Sequence, residues 1–245
     1  MKPRLSLVPA EHPGVVLNHD EVHLWTTTLD LPASEVQELL ETLSIDERAR
    51  ADRYHFAHDR MRFTVARGVL RAILGCYLNT PPEELRFYYS PHGKPDLVED
   101  AALRFNVSHS GGIAVYGITR GRAIGVDIER IRGIVDIESI SERFFSPQEV
   151  AVLGTLPPQA HAVAFFACWT RKEAYIKARG EGLSMPLDRF DVSLAPGEPA
   201  ALLRAYGDPL EASRWSLRAF APAPGYVAAL AVEGQGLRLK THHWP

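Results

Sequence analysis

The sequence has 245 residues, of which 46% are hydrophobic and 23% charged, and its formal net charge at pH 7 is −3. This profile is typical of a soluble globular protein with one large domain or two smaller ones, and it indicates no general affinity for nucleic acid. There is no apolar run of about eighteen residues, and the two cysteines lack C-x-x-C spacing. We therefore expect a cytoplasmic protein without a membrane span, a structural zinc site or a disulfide framework.

The first part of the chain predicts one strand followed by helices. Hydrophobic alternation over residues 21–27 predicts the strand. Ser34 and Ser44 are each followed three residues later by Gln or Glu. This is the spacing of a capping box, so each serine should begin a short helix. Apolar residues at helical spacing then predict a longer helix over residues 59–78.

Arginines are concentrated in these helices: Arg48, Arg50, Arg53, Arg60, Arg62, Arg67 and Arg71. One interpretation is a solvated helix face, on which the arginines pair with nearby carboxylates at helical spacing. The other is a phosphate clamp, because a guanidinium group matches phosphate oxygens with two parallel hydrogen bonds. The sequence leaves both interpretations open.

Two polar segments follow the long helix. Residues 86–90 predict a strand that enters the turn S-P-H-G-K-P at 90–95, where glycine permits close approach of backbone to a ligand. The segment F-N-V-S-H-S-G-G at 105–112 predicts a strand that ends in a polar loop. Further strands are predicted at 113–119 and 125–129. Three strands with short turns predict a meander that places Ser108 and His109 beside the 125–129 strand in one sheet.

Gly125-Val126-Asp127-Ile128-Glu129 is the segment with the clearest chemistry. On a strand, Asp127 and Glu129 project from one face, about 7 Å apart along the chain, while Val126 and Ile128 enter a core. Two like charges on one face are either solvated or bridged by a cation, and carboxylate oxygens suit Mg²⁺. A solvent-facing strand edge is the alternative.

The second part of the chain predicts further helices and then strands. A helix near 136–143 precedes one capped by Ser146, and a long helix is expected over 159–179, ended by Gly180. Glu173 and Lys177 share one face of it, either as a surface ion pair or in a cleft. Alternation predicts strands at 189–194, 214–220, 226–232 and 237–241. Helices with antiparallel strands thus occur twice, which predicts two α+β halves, residues 1–119 and 120–245.

Taken in order, three motifs resemble those of the Sfp-type 4′-phosphopantetheinyl transferases. They are F-N-V-S-H-S at 105–110, G-V-D-I-E at 125–129 and W-T-R-K-E-A-Y-I-K at 169–177; G-K-P at 93–95 and R-F-F-S at 143–146 also fit. The resemblance implies an α+β fold of two halves related by a pseudo-twofold, with coenzyme A in the cleft between them. It implies transfer of 4′-phosphopantetheine to a serine of an apo acyl or peptidyl carrier protein, with release of 3′,5′-ADP.

The resemblance also implies site residues. The metal ligands, for Mg²⁺ or alternatively Mn²⁺, would be Asp127, Glu129 and Glu173. The catalytic residues would be Lys177, on the pyrophosphate, and Glu173, our candidate base for the incoming serine. The residues that bind coenzyme A would be Arg50, Arg53, Arg62, Gly93, Lys94, Pro95, Ser108, His109 and Lys172.

Two other functions remain open at the level of the sequence. A Mg²⁺-dependent hydrolase of nucleotide pyrophosphates would use the same carboxylates and cations. A non-catalytic module that binds coenzyme A or a carrier protein would tolerate loss of Asp127. The transferase interpretation further predicts a monomer, because one chain supplies both sides of the cleft, and no contact with membrane or nucleic acid.

Overall fold

The structure is a computed structural model and describes residues 15–98, 100–133 and 136–245. The first half of the chain forms β1 (Glu21–Thr28), α1 (Ala33–Thr42), α2 (Ile45–Ala51), α3 (Ala57–Leu78), β2 (Phe87–Tyr89), β3 (Pro95–Leu97), β4 (Leu103–Ser110) and β5 (Ile113–Arg120). The second half forms β6 (Ile124–Arg130), α4 (Ile137–Phe144), α5 (Pro147–Thr155), α6 (Pro158–Arg179), β7 (Phe190–Val192), β8 (Leu202–Ala205), β9 (Trp215–Phe220), β10 (Tyr226–Glu233) and β11 (Arg238–His243). No helix in these ranges is long and apolar enough to cross a membrane.

The two halves repeat one order of elements: a strand, two short helices, a helix of 22 residues, a small hairpin and a larger hairpin. The larger hairpins pair with the first strand of their own half, which gives the sheet orders β1-β5-β4 and β6-β10-β9. All these pairings are antiparallel. The predicted α+β fold of two similar halves is therefore confirmed.

The last strand departs from this repeat. β11 follows the second half in sequence, yet it pairs in parallel with β1 at the edge of the first sheet. Trp244, directly after it, is buried in the core of the first half. The C-terminal segment thus belongs structurally to the first sheet, and the division at residue 119 stays a prediction.

The two sheets pack face to face through an apolar layer. Val22 and Val115 contribute from the first sheet, and Ile124, Val126 and Ile128 from β6. The predicted burial of Val126 and Ile128 is confirmed. The long helices α3 and α6 each contribute to a further core within their own half.

Two local predictions were wrong. β6 does not extend the β4–β5 hairpin, because its apolar side chains face those of the first sheet and its backbone pairs with β10. Ser108 and Asp127 are therefore neighbours across two sheets. In addition, α1 begins at Ala33 after Pro32, so Ser34 lies inside the helix and no side chain caps it.

Candidate active site

The site begins where α6 crosses β6 at Gly125. A Cβ atom at this position would overlap the carbonyl oxygen of Ala174 and the amide nitrogen of Ala178. Only glycine allows the helix backbone to touch the strand backbone here. The contact brings Lys177 of α6 beside Asp127, two residues further along β6.

Lys177, Asp127 and Ser108 form one hydrogen-bonded group. Lys177 Nζ donates to Asp127 Oδ1 at 2.6 Å and to Ser108 Oγ at 3.1 Å. Ser108 Oγ donates to the same carboxylate oxygen at 2.9 Å. The partner of Lys177 is thus Asp127 and not Glu173, so this lysine lies in a cleft between helix and strand, as one of the two interpretations predicted.

β4 supports the outer edge of β6 with side chains. β6 is an edge strand of its sheet, so its outer N–H and C=O groups need partners from elsewhere. Asn106 Oδ1 accepts from the Val126 amide at 2.9 Å. Ser110 Oγ accepts from the Arg130 amide at 3.1 Å and donates to Glu129 Oε2 at 2.9 Å. The sequence reasoning missed Asn106 and assigned no role to the Ser110 hydroxyl, although alternation along β4 places both on the face that carries Ser108.

Three carboxylates share this cleft. Burial raises the pKa of Asp127 against the opposing effect of Lys177. Burial also raises the pKa values of Glu129 and Glu173, and the charge of Asp127 raises both further. Loss of solvent is thus the main cause of the raised pKa values, and for Glu129 and Glu173 the charge of Asp127 adds to it.

Asp127 also carries an unused ligand atom. Its Oδ2 atom is buried and has no hydrogen-bond partner among the described residues. The Glu173 carboxylate is half-buried and, within those same ranges, is without a hydrogen bond. Hard oxygen donors with excess negative charge fit a divalent cation such as Mg²⁺. The described residues include no group of three or more His, Cys, Asp or Glu side chains already arranged to hold a metal ion, so the metal role of this set stays a prediction.

A cavity of about 220 Å³ lies beside this cleft. It is lined by Arg50, Tyr54, Phe63, Ala66, Arg67, Leu70, Tyr89, Gly93, Pro95, Val107 and His109. Aromatic walls with guanidinium groups suit a planar base that carries phosphate. His109 is one of the cavity residues. Desolvation lowers the pKa of its ring, and the charges of Lys177 and Arg62 lower this pKa further. An open groove of about 580 Å³ elsewhere is lined by none of the predicted site residues.

Some arginines of the first helices pair with carboxylates of the fold, and others are available to bind phosphate, so each of the two interpretations holds for a part of them. Arg67 and Arg71 each lie 2.6 Å from a carboxylate oxygen of buried Glu47, and Arg62 forms a two-point ion pair with Asp30. These three are paired within the fold.

Arg50 and Arg53 are the exceptions. Both are exposed, and neither has an acidic partner in the part of the chain that the structure describes. The guanidinium of Arg50 lies 5.6 Å from the centre of the Phe63 ring in the cavity wall. These two arginines, both predicted to bind coenzyme A, remain available to an anion.

Two predicted lysines point elsewhere. Lys172 is fully buried, and its Nζ donates to the Leu187 and Phe190 carbonyls and pairs with Glu149. Its prediction as a ligand of coenzyme A is corrected, because its ammonium is enclosed in the core of the second half. Lys94 Nζ donates to two backbone carbonyls, whereas its neighbours Gly93 and Pro95 line the cavity. The prediction that the Lys94 side chain binds coenzyme A is therefore corrected as well.

Comparisons with known proteins cover both halves of the chain. A family model described as 4′-phosphopantetheinyl transferase superfamily matches residues 123–231, and one described as 4′-phosphopantetheinyl transferase, N-terminal, matches residues 27–118. The chain is 43% identical to the 4′-phosphopantetheinyl transferase HetI of Nostoc sp. over 95% of this chain and 96% of that protein. It is 30% identical to the 4′-phosphopantetheinyl transferase Sfp of Bacillus subtilis (strain 168) over 68% and 74% of the two chains.

Two similar solved structures each match less than half of this chain. The holo-[acyl-carrier-protein] synthase of Thermotoga maritima is 19% identical, with a TM-score of 0.37, over 46% of this chain and 64% of that one. The corresponding synthase of Helicobacter pylori, solved in complex with coenzyme A, is 21% identical, with a TM-score of 0.34, over 45% and 99%.

Proposed function

The chain belongs to the 4′-phosphopantetheinyl transferase superfamily, and from that premise we propose how its residues carry out the transfer. The enzyme moves 4′-phosphopantetheine from coenzyme A to a serine hydroxyl of an apo acyl or peptidyl carrier protein and releases 3′,5′-ADP. The observation that carries the residue assignments is the convergence of α6 on β6 at Gly125, which brings Lys177 to Asp127 beside the cavity that Arg50 lines.

Coenzyme A binds between the two halves. Its adenine occupies the aromatic cavity, against Gly93 and Pro95 of the turn. Its 3′-phosphate meets Arg50 and Arg53, whose guanidinium groups have no carboxylate partner in the described ranges. Its pyrophosphate extends past His109 toward Lys177. Arg62 contributes positive charge while it remains paired with Asp30.

The carboxylates are the residues that would hold the metal ion. Asp127 through its free Oδ2, Glu129 and Glu173 would bind Mg²⁺, or Mn²⁺, since oxygen donors suit both. When bound, the ion would neutralise negative charge on the pyrophosphate and orient it. Ser108 and Ser110 fix the rotamers of Asp127 and Glu129 through the hydrogen bonds described above.

Glu173 and Lys177 act on the reacting groups. The serine oxygen of the carrier attacks the β-phosphorus of coenzyme A, the bond from that phosphorus to the bridging oxygen breaks, and 3′,5′-ADP leaves. Glu173 takes the serine proton. Lys177 stabilises the negative charge that develops on the leaving oxygen.

The remaining features concern the context of the enzyme. Both sides of the cleft come from one chain, which supports a monomer. Both cysteines are free thiols, which supports a reducing compartment such as the cytoplasm. The net charge of −3 supports partners other than nucleic acid.

The deciding experiment is intact-mass spectrometry of an apo acyl carrier protein after incubation with this protein, coenzyme A and Mg²⁺. We expect a gain of one phosphopantetheine group, abolished by EDTA and by Asp127→Ala. Free phosphopantetheine formed without any carrier would point to a hydrolase. No gain with several apo carriers, although coenzyme A binds, would point to a binding module.

A further inference from the structure

The turn at residues 90–95 lies between the cavity and the second half. Its shape is fixed internally: the Gly93 amide donates to the Ser90 carbonyl at 2.8 Å, and the Lys94 amide donates to Ser90 Oγ at 3.1 Å. Gly93 has a φ of 78°, which favours glycine. Gly93 and Pro95 face the cavity, whereas the side chain of Lys94 leaves the turn in another direction.

The Lys94 ammonium reaches the C-terminal end of α6. The last carbonyls of a helix have no partner within the helix, and a cation there also interacts favourably with the helix dipole. α6 ends at Arg179, and Lys94 Nζ donates to the carbonyl oxygen of Lys177 at 2.6 Å. A residue of the first half thus holds the peptide unit that carries the side chain of Lys177.

The same ammonium holds the beginning of β6. Its second hydrogen bond goes to the Ile124 carbonyl at 3.0 Å, on the outer edge of that strand. Gly125 follows directly, at the contact between helix and strand. Lys94 therefore fixes α6 and β6 at the two points from which Lys177 and Asp127 approach each other.

The turn contacts the second half at one further position. The Cβ atom of His92 lies 3.1 Å from where a Cβ atom would stand on Gly182, just beyond α6. One face of the turn thus packs on the end of the helix, while the other lines the cavity. A molecule bound in the cavity therefore contacts a turn that is itself attached to the end of α6.

We propose that Lys94 is a positioning residue that couples occupancy of the coenzyme A cavity to the placement of Lys177. Coenzyme A bound against Gly93 and Pro95 immobilises the turn. The hydrogen bond from the Lys94 ammonium to the Lys177 carbonyl then restricts the motion of the last turn of α6 as well. Lys94 does not itself contact the coenzyme. This inference rests on the proposed role of Lys177 in the reaction.

A double-mutant cycle tests it. Lys94→Met keeps the length and apolar stem of the side chain and removes the donors. We expect kcat to fall about 10- to 100-fold, as for a misplaced catalytic group, while the Kd for coenzyme A from titration calorimetry changes less than about threefold. In a Lys177→Ala background, the further loss from Lys94→Met should be below about twofold, because the group that it positions is absent.

Arg122→Met is the matched control. Arg122 also donates to backbone carbonyls of both halves, those of His19 and Glu233, but among the described residues it forms no hydrogen bond with α6 or with the turn. Its kcat should stay within about twofold of the parent. Should Lys94→Met fail to fold, as judged by circular dichroism, Ser90→Ala replaces it. This variant loosens the turn by one hydrogen bond, and we expect the same pattern at smaller size.

The outcomes are distinguishable. Equal loss of kcat from Lys94→Met in both backgrounds, or an unchanged kcat, overturns the positioning role. Loss of coenzyme A affinity in parallel with kcat makes Lys94 a ligand and also overturns it. A Lys177→Ala variant with full activity would instead refute the proposed role of Lys177 and remove the premise of the coupling.

Discussion

The two halves of the molecule hold their long helices in the same way. In the first half, Ser44 and Glu47 form a capping box at the start of α2. Glu47 also accepts from Arg71, at position 15 of α3, and Arg71 donates to the Pro82 and Leu85 carbonyls of the following turn. We call this arrangement the capping-box anchor, because one buried carboxylate joins a short helix, a long helix and a turn.

The second half repeats the capping-box anchor with a lysine. Ser146 and Glu149 form the capping box of α5. Glu149 lies 2.7 Å from Lys172, at position 15 of α6, and Lys172 donates to the Leu187 and Phe190 carbonyls. The fold is therefore built twice from one plan, in which the long helices have equal length and the anchor residues equal positions in them.

The two halves differ at those positions of the long helices α3 and α6 that take no part in the capping-box anchor. Positions 16 and 20 of α3 are Ala72 and Cys76, whereas the same positions of α6 are Glu173 and Lys177. Position 11 of α3 is Arg67, which lines the cavity and reaches Tyr89. We infer that the first half is specialised to bind the coenzyme and the second to carry out the transfer, on a shared frame.

Glu173→Gln tests the assignment of chemistry to the second half. We expect kcat to fall about 10²- to 10⁴-fold, as for loss of a general base, with the Kd for coenzyme A nearly unchanged. Carrier modification is followed by mass spectrometry and coenzyme binding by calorimetry. Glu142→Gln, on the exposed side of α4, is the control and should leave both quantities unaltered. Equal losses of turnover and binding would make Glu173 a metal ligand only.

Removal of the anchor cation should affect the two halves unequally. Lys172→Met leaves Glu149 buried without a countercharge and should lower the free energy of unfolding by about 3–5 kcal/mol. Arg71→Met should cost less, because Arg67 still pairs with Glu47. Urea unfolding at equilibrium measures both values.

The double variant of the second half gives the control for this prediction. Lys172→Met combined with Glu149→Gln removes the unpaired charge as well and should recover part of the lost stability. Equal destabilisation by Arg71→Met and Lys172→Met would contradict the prediction that Arg67 compensates the charge of Glu47 when Arg71 is absent.

The sequence predicted the regular elements because their signals are local. The capping boxes of Ser44 and Ser146 are confirmed, and α6 begins within one residue of its predicted start. The alternation of Asp127 and Glu129 with buried Val126 and Ile128 is also confirmed. In each case the residues that decide the structure lie within a few positions of one another.

The contacts between distant segments were beyond this reasoning. Lysines in motifs such as those of Lys94 and Lys172 are typical phosphate ligands. Only the tertiary structure shows that both side chains donate to backbone carbonyls instead. The assignment of β6 to a separate sheet depends on its pairing with β10, which lies about a hundred residues further along the chain. Ser34 matched a cap in spacing, but Pro32 allowed the helix to begin earlier.

Arg50→Met tests the assignment of binding to the first half. We expect the KM for coenzyme A to rise about tenfold or more, the loss of one charged hydrogen bond, with a small change in kcat. Dephospho-coenzyme A, which lacks the 3′-phosphate, should show no such change. Arg60→Met is the matched control, because Arg60 is exposed nearby and lies 3.9 Å from Asp52. A loss that is equal for both coenzymes would place Arg50 elsewhere than on the 3′-phosphate.

The smallest expected effect is a difference in pH dependence between the two anchors. Burial raises the pKa of Glu47, but Arg67 and Arg71 together outweigh it, so the pKa lies below its usual value of 4.5. Burial also raises the pKa of Glu149, and its one cation, Lys172, does not outweigh it, so the pKa lies above 4.5.

The two shifts have opposite effects on stability. A group whose pKa is lowered by folding stabilises the protein at pH values above its unfolded pKa, and this contribution is lost as pH falls. A raised pKa stabilises the protein at low pH and loses its contribution as pH rises through the folded value.

Unfolding free energies of the parent, Glu47→Gln and Glu149→Gln between about pH 4 and pH 7 measure these contributions. The difference between parent and Glu47→Gln should increase as pH rises. The difference between parent and Glu149→Gln should decrease over the same interval, because the folded protein holds that proton more firmly than the unfolded chain. Slopes of the same sign would mean that the additional arginine of the first half does not set the charge state of its anchor, and that the two halves differ only in their functional faces.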